Sequence, residues 1–261
     1  MKSFENCNVA VCLSGQSRTF VHCHKSINDF FSSNRGNKFF FFGHTWDNNT
    51  YKIKNDDEFS YEEEKLNVAG LRAELLECFN FEKLVVEEQK NFIEWDNILY
   101  SVMRSNFLKQ QYEAENNMMF DLVIKARFDV CYEPGDKFEN MFTSTIEEKS
   151  LYSKFGIMNC EFALPNPDDV MYFGSSLTMD LIDSFFNCSG EKFGTMVGSN
   201  YDNLAFRRVG MGVLLYKWMT IKNILPIDIV LNYAIIRKQS CYLEHNKDWD
   251  KLKRMGYFVD L

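Results

Sequence analysis

The chain has 261 residues, and its 29 Lys and Arg stand against 37 Asp and Glu for a formal net charge of −8. An acidic balance of this kind lacks the basic stripe that a nucleic-acid backbone requires, so no nucleic-acid partner is expected. Aromatic residues make up 16%, from 25 Phe, 12 Tyr and 4 Trp, which excludes a disordered chain and provides for a sizeable core. At this length one domain spanning residues 1–261 is expected.

The first apolar run, Val9 to Leu13, is too short for a signal-peptide core or a membrane span and reads as a β-strand. No other uninterrupted apolar run approaches about twenty residues, so no transmembrane segment is expected and the protein is placed in the cytoplasm. Further strands follow at Lys38 to Phe42, Leu84 to Val86, Leu122 to Ile124, Val170 to Phe173 and, in part, Ile227 to Ile236. Each is short enough to be buried on both faces. The Asn-rich stretch from Asp47 to Asp57 reads as a surface loop. Leu66, Leu71, Leu75 and Leu76 predict an amphipathic helix starting near Tyr61, with Glu62, Glu63 and Glu64 in its first turn at the positive end of the helix dipole. A second helix is predicted from Trp95 to about Ala114, with Ile98, Leu99, Val102, Phe107 and Leu108 inward. The segment from Tyr132 to Ser150 reads as an insertion near a site. A third helix runs from Ser176 to Phe186, with Leu177, Leu181, Ile182 and Phe185 on one side, and a fourth from about Tyr201 to Met219. Alternating strands and helices imply an α/β domain of three layers around a mainly parallel sheet. The eight cysteines are scattered without a CxxC pair, as reduced core thiols are. His22, Cys23 and His24 are soft metal ligands, but neighbours in sequence point apart in a helix or strand, which disfavours a shared metal.

In open α/β sheets ligands bind outside the carboxyl ends of the strands. Three strand ends here carry polar clusters. After the first strand comes Leu13-Ser14-Gly15-Gln16-Ser17-Arg18-Thr19, in which a glycine lets a ligand approach the backbone and Arg18 suits a phosphate. The turn is neither a P-loop nor a dinucleotide fingerprint, since it lacks the Gly-Lys-Ser/Thr ending and has one glycine. After the second comes Gly43-His44-Thr45-Trp46-Asp47, with a donor, a ring and a carboxylate at one rim. After the central strand comes Lys125-Ala126-Arg127-Phe128-Asp129, where alternation puts Lys125, Arg127 and Asp129 on one side. Two cations and a carboxylate there suit a diphosphate with a divalent metal, or a plain ion pair at a sheet edge.

The ordered set Leu13-Ser14-Gly15-Gln16-Ser17-Arg18, His44-Thr45-Trp46-Asp47 and Arg127-Phe128-Asp129 resembles a family of phage, giant-virus and bacterial GT-A-type glycosyltransferases. Asp169-Val170-Met171-Tyr172-Phe173-Gly174-Ser175 is similar to the family's later strand. The likeness covers about the first two-thirds of the chain. It implies a GT-A fold, a Rossmann-like three-layer domain, and a nucleotide-sugar donor, held by Ser14, Gly15, Gln16, Arg18, His44, Lys125, Arg127, Asp169 and Gly174. Arg127-Phe128-Asp129 takes the place of the usual Asp-x-Asp motif, so Asp129, with the late His245, would ligate Mn²⁺ or Mg²⁺, a Lewis acid for the departing nucleoside diphosphate. Arg127 replaces one of the two usual carboxylates, which weakens a metal site and supplies a phosphate counter-charge. If the anomeric centre is inverted, Asp202 is the candidate general base; as the first acid of a helix it equally reads as a cap. Asp168 and Asp169 suit sugar hydroxyls or a turn cap, and Trp46 and Tyr172 suit stacking on sugar or base.

The expected activity is transfer of a hexose from a nucleotide sugar, with UDP-glucose the type of donor, to a glycan or other hydroxyl acceptor, in the host-cell cytoplasm if the protein is viral. A nucleotidyltransferase or nucleotide-sugar hydrolase, or a non-catalytic nucleotide-sugar-binding module, is the alternative.

Overall fold

The computed structural model describes residues 4–32, 35–55, 58–89, 94–133, 135–141, 145–157, 165–184, 215–229 and 233–235. Its centre is a seven-stranded sheet built from β1 (Asn8–Ser14), β2 (Lys38–Trp46), β5 (Phe81–Glu87), β6 (Leu122–Arg127), β8 (Ser150–Ile157), β9 (Pro165–Gly174) and β10 (Leu225–Asp228), in the order β10-β8-β9-β6-β1-β2-β5. The pairs β1–β2, β1–β6, β2–β5 and β8–β10 are parallel. Only β9 is reversed, antiparallel to both β6 and β8. A strand with layers on both faces must be apolar at nearly every position, and β1 and β6 meet that demand. Val9, Val11, Leu13, Leu122 and Ile124 are all fully buried, each worth about 1.5–3 kcal/mol in area removed from water.

One face of the sheet is covered by α1 (Phe20–Phe30) and α2 (Val68–Cys78), the other by α3 (Glu94–Asn116), α4 (Ser176–Asp183) and a helix at residues 215–222, α5. Helix α1, between the first two strands, buries Phe20, Cys23, Ile27 and Phe30 along one face. They join Val9, Val11 and Leu13 in one hydrophobic cluster, while Ala10, Cys12, Phe42, Val123 and Tyr172 join Val102, Leu108, Ile182 and Trp218 in the other. The three α/β/α layers and the mainly parallel sheet are thus as expected. None of the helices among the described residues is long and apolar enough to cross a membrane. Among the described cysteines, Cys7, Cys12, Cys23, Cys78 and Cys131 are free thiols, all but Cys78 buried.

Several local expectations are corrected. The segment expected as an Asn-rich loop and the acidic start of a helix is a hairpin, β3 (Asn48–Asn55) with β4 (Glu58–Lys65), paired from Asn48↔Lys65 to Asn55↔Glu58. The hairpin's base is tied by the backbone bond from Leu66 N–H to Asp47 O and by Lys65 Nζ at 2.6 Å from Asp47. Helix α2 begins only after Asn67, whose side chain accepts from the N–H groups of Ala69 and Gly70 and satisfies the first turn. Phe107, Leu177 and Leu76, expected inward, are exposed. The segment after Tyr132, expected as an insertion, is anchored in the core by Phe138, which is fully buried and edge-on to Phe4, Phe30 and Phe173. The part of the predicted fourth helix before residue 215 lies outside the described residues.

Candidate functional site

From β1 the chain proceeds outward through β2 to β5, then returns to the other side of β1 as β6. The order therefore reverses between β1 and β6, and the crevice outside the carboxyl ends of these two strands is where an open α/β sheet takes a ligand. Ser14 is in register with His44 on one side and Arg127 on the other, so three of the expected site residues stand at one level of the rim.

Gly15 turns the chain away from the sheet with φ +107°, a backbone conformation that side-chain-bearing residues rarely adopt. Its N–H donates to Ser101 Oγ on α3 at 2.7 Å. The turn is fixed from above by the hairpin: Arg18 N–H donates to Asn49 Oδ1 at 2.9 Å, and Gln16 Nε2 to Thr50 Oγ1 at 3.0 Å. Arg18 Nε donates to Gln16 Oε1 at 2.7 Å, which aims the guanidinium across the crevice. There it meets Asp129, with Arg18 Nη1 at 3.7 Å from Oδ2.

Asp129 is 2% exposed and is gripped by Arg127, whose Nε and Nη2 donate to Oδ1 and Oδ2, both at 2.8 Å. Such a bidentate pair fixes both side chains. The Arg18 and Arg127 side chains remain 17% and 19% exposed, respectively. Phe128, between Arg127 and Asp129 in the chain, is buried in the α1-side cluster, so alternation holds as expected. Lys125, by contrast, lies two residues deeper in the sheet, buried, with Nζ 5.3 Å from the Tyr172 ring centre. The groups that converge are thus Arg18, Arg127 and Asp129, with Arg18 in the place expected for Lys125.

The donor set at Asp129 does not fit a divalent cation. Both carboxylate oxygens are engaged, and among the described residues no three His, Cys, Asp or Glu side chains gather where a metal ion would sit. Each unit of like charge about 4 Å from a guanidinium costs about 4 kcal/mol at an effective dielectric near 20, so a dication would have to displace Arg127. The other rim carboxylates have cations of their own. Asp47 faces Lys65, and Arg104 Nη2 lies 2.6 Å from Glu87.

His44 does not face the crevice. It is fully buried, with Nδ1 2.8 Å from Ser101 Oγ and Nε2 3.9 Å from Glu87 Oε1. Burial raises the Glu87 carboxyl, but hydrogen bonds from Arg104 and Tyr100 outweigh it and leave the group below its ordinary value. Ser, His and Glu in sequence suggest a nucleophilic triad. Ser101 is fully buried and accepts the Gly15 N–H, however, so no substrate reaches its hydroxyl. The arrangement is a clamp on the Gly15 turn.

Trp46 and Tyr172 are buried and therefore core, Trp46 stacked on Tyr100 at 5.4 Å between ring centres. Gly174 stands at the far end of the sheet from the crevice, paired with Val123 at the start of β6 because β9 is reversed. Its lack of a side chain has a packing cause there, since a Cβ would lie 2.8 Å from Ser150 O. Asp168, on the crevice side of the same strand, accepts from Val170 N–H at 2.9 Å and from the Tyr233 hydroxyl. The Asp169 side chain, Asp202 and His245 lie outside the described residues.

Ser101, Tyr100, Arg104 and Glu87 are the residues that sequence reasoning missed. A signal for the helix among them exists: Asn97, Ser101, Ser105 and Lys109 recur at four-residue spacing, and all four are buried. A polar stripe at helical period facing a sheet marks a network rather than a solvated face.

The sequence matches no family model and no curated protein. Among solved structures, one similar in fold is a glycosyltransferase involved in the glycosylation of the major capsid of PBCV-1, at 9% identity and a TM-score of 0.38, covering 85% of this chain and 80% of that one. Another is the glycosyltransferase GlyE of Streptococcus pneumoniae TIGR4, at 10% identity and a TM-score of 0.41 over 85% of this chain. The chain spans 45% of that structure's length.

Proposed function

We propose that the protein is a glycosyltransferase of GT-A type that moves a hexose from a nucleotide sugar to a hydroxyl acceptor. The observation that carries this reading is the meeting of Arg18, Arg127 and Asp129, at 2.8 to 3.7 Å, outside the carboxyl ends of β1 and β6. A point of chain reversal favours a nucleotide there, and the guanidiniums suit its phosphates. The strand-end motifs add the family likeness. In the reaction an acceptor oxygen forms a bond to the anomeric carbon while the bond from that carbon to the diphosphate oxygen breaks. Asp202 is proposed to take the acceptor proton if the centre inverts, and the arginines to hold the leaving diphosphate. A UDP-sugar is the proposed donor.

A thermal-shift screen of UDP-, GDP- and CMP-sugars, with and without Mn²⁺, tests this. A ligand at about 100 times its Kd stabilises the folded state by about 2.7 kcal/mol. The expected result is a raised melting temperature with one donor class, and release of nucleoside diphosphate from that donor when acceptors are supplied. No shift with any of these donors refutes the proposal. Release of sugar 1-phosphate, with the nucleoside monophosphate group passing to the acceptor, would instead make the protein a nucleotidyltransferase.

A further inference from the structure

We propose that Arg18 and Arg127 themselves neutralise the donor's diphosphate, and that Asp129 is their positioning counter-charge and not a metal ligand. This rests on the nucleotide-sugar reading and deepens it at one point: the arginines act without a metal, and Asp129 serves them.

Two observations support it. Arg127 gives the Nε and Nη2 edge of its guanidinium to Asp129 at 2.8 Å twice over. The group is planar with five N–H donors, and Nη1 lies on the opposite edge, so an anion is accepted there while the Asp129 pair stays closed. Second, the charge order is inverted relative to a metal site. Asp129 is the inner, 2% exposed member, and the two arginine side chains, at 17% and 19%, are the more exposed ones that border the crevice. An anion approaching from solvent meets cations, and a cation meets repulsion.

Asp129 acts on the phosphates through the arginines. It fixes the guanidinium plane of Arg127 and draws Arg18 across from the first strand's turn to the same point, so the two cations are held together against their own repulsion. A lysine at either position would provide charge without the two-edged fork.

The test is calorimetric binding of UDP and of GDP to the full chain, in EDTA and then in Mn²⁺, with electron paramagnetic resonance of Mn²⁺ as a separate readout. Binding of one nucleotide is expected to be equal within about twofold in the two buffers, and to weaken about tenfold or more in Arg127→Gln and in Arg18→Gln, in both buffers. The Mn²⁺ signal is expected to remain that of the free ion when protein is added. Asp129→Asn, with the fold checked by circular dichroism, is expected to keep binding in EDTA within about tenfold; the arginine variants carry the test if it does not fold. Nucleotide binding that appears only with Mn²⁺, or that survives both arginine substitutions, overturns this proposal and leaves the donor reading standing. Binding of neither nucleotide in either buffer overturns both.

Discussion

Lys109→Met probes a buried ion cluster behind the sheet. The Lys109 side chain is fully buried, and its Nζ donates to Ser176 Oγ at 2.8 Å, Asp180 Oδ1 at 2.9 Å and Glu113 Oε2 at 3.0 Å, using all three of its donors. Burial by itself would lower the pKa of the ammonium. The Asp180 and Glu113 carboxylates outweigh burial and hold it above the ordinary value. Methionine keeps most of the side-chain volume, so the substitution removes charge without opening a large cavity. It leaves two carboxylates facing each other. Removing one partner of a buried pair costs about 3–5 kcal/mol. Asp180 is 31% exposed and takes up water, and Glu113 keeps bonds from Phe120 N–H and the Ser176 hydroxyl, which places the loss near 3 kcal/mol, the low end of that range. For a chain of this size the melting temperature should then fall by roughly 6–12 °C. Urea unfolding followed by tryptophan fluorescence measures the loss. Adding Asp180→Leu to Lys109→Met should recover part of it, since the pair then leaves together. A loss below about 0.5 kcal/mol would refute the reasoning, because that is the value of a solvated surface pair.

Asp183 gives the pH prediction. It is buried with neither carboxyl oxygen in hydrogen-bonding geometry with a partner among the described residues. Burial first, then the charge of Asp180, pushes its pKa well above the ordinary value, offset only in part by Lys109 and Asn106. The native state thus holds this proton more tightly than the unfolded chain, so the group favours folding most below its unfolded pKa of about 4, and stability declines as pH rises from there toward the folded pKa. Asp183→Asn should flatten that decline and raise stability at neutral pH by about 1–2 kcal/mol in urea titrations; a less stable variant at neutral pH contradicts this account. Ser101→Ala removes the acceptor for Gly15 N–H and the partner of His44 Nδ1, with an expected cost of about 1–3 kcal/mol. Nucleotide affinity in calorimetry should fall with it, and unchanged affinity would show that the clamp does not position the Gly15 turn.

The layered fold was readable because β1, β2 and β6 are near-continuous apolar runs, which only a strand covered on both faces requires. The rim chemistry was readable for a similar local reason, since polar residues directly follow each run. Helix α3 was legible in extent and only partly in orientation: Val102 and Leu108 are buried as expected. Apolar spacing put Phe107 inward, whereas the buried face also carries Ser101, Ser105, Asn106 and Lys109; Ser101, Asn106 and Lys109 are satisfied by partners on other elements, and Ser105 by Val102 O of its own helix. The β3–β4 hairpin was hidden because Glu62, Glu63 and Glu64 favour a helix over a strand; pairing with β3 and the Asp47–Lys65 bond override that preference.

The sequence by itself determined the α/β layering and the strand-end clusters, because both follow from which residues stand next to each other in the chain. Tertiary structure alone decided that Arg18 reaches Asp129, that reversal of β9 carries Gly174 to the opposite end of the sheet, and that His44 turns to Ser101 and away from the crevice. Each depends on strand order, register or helix rotation, which are fixed by contacts between segments distant in sequence. Arg127-Phe128-Asp129 shows the difference. Its residue types announced an anion or metal site, and only the geometry, with both Asp129 oxygens held by Arg127, ranks the cations as the outward-facing groups.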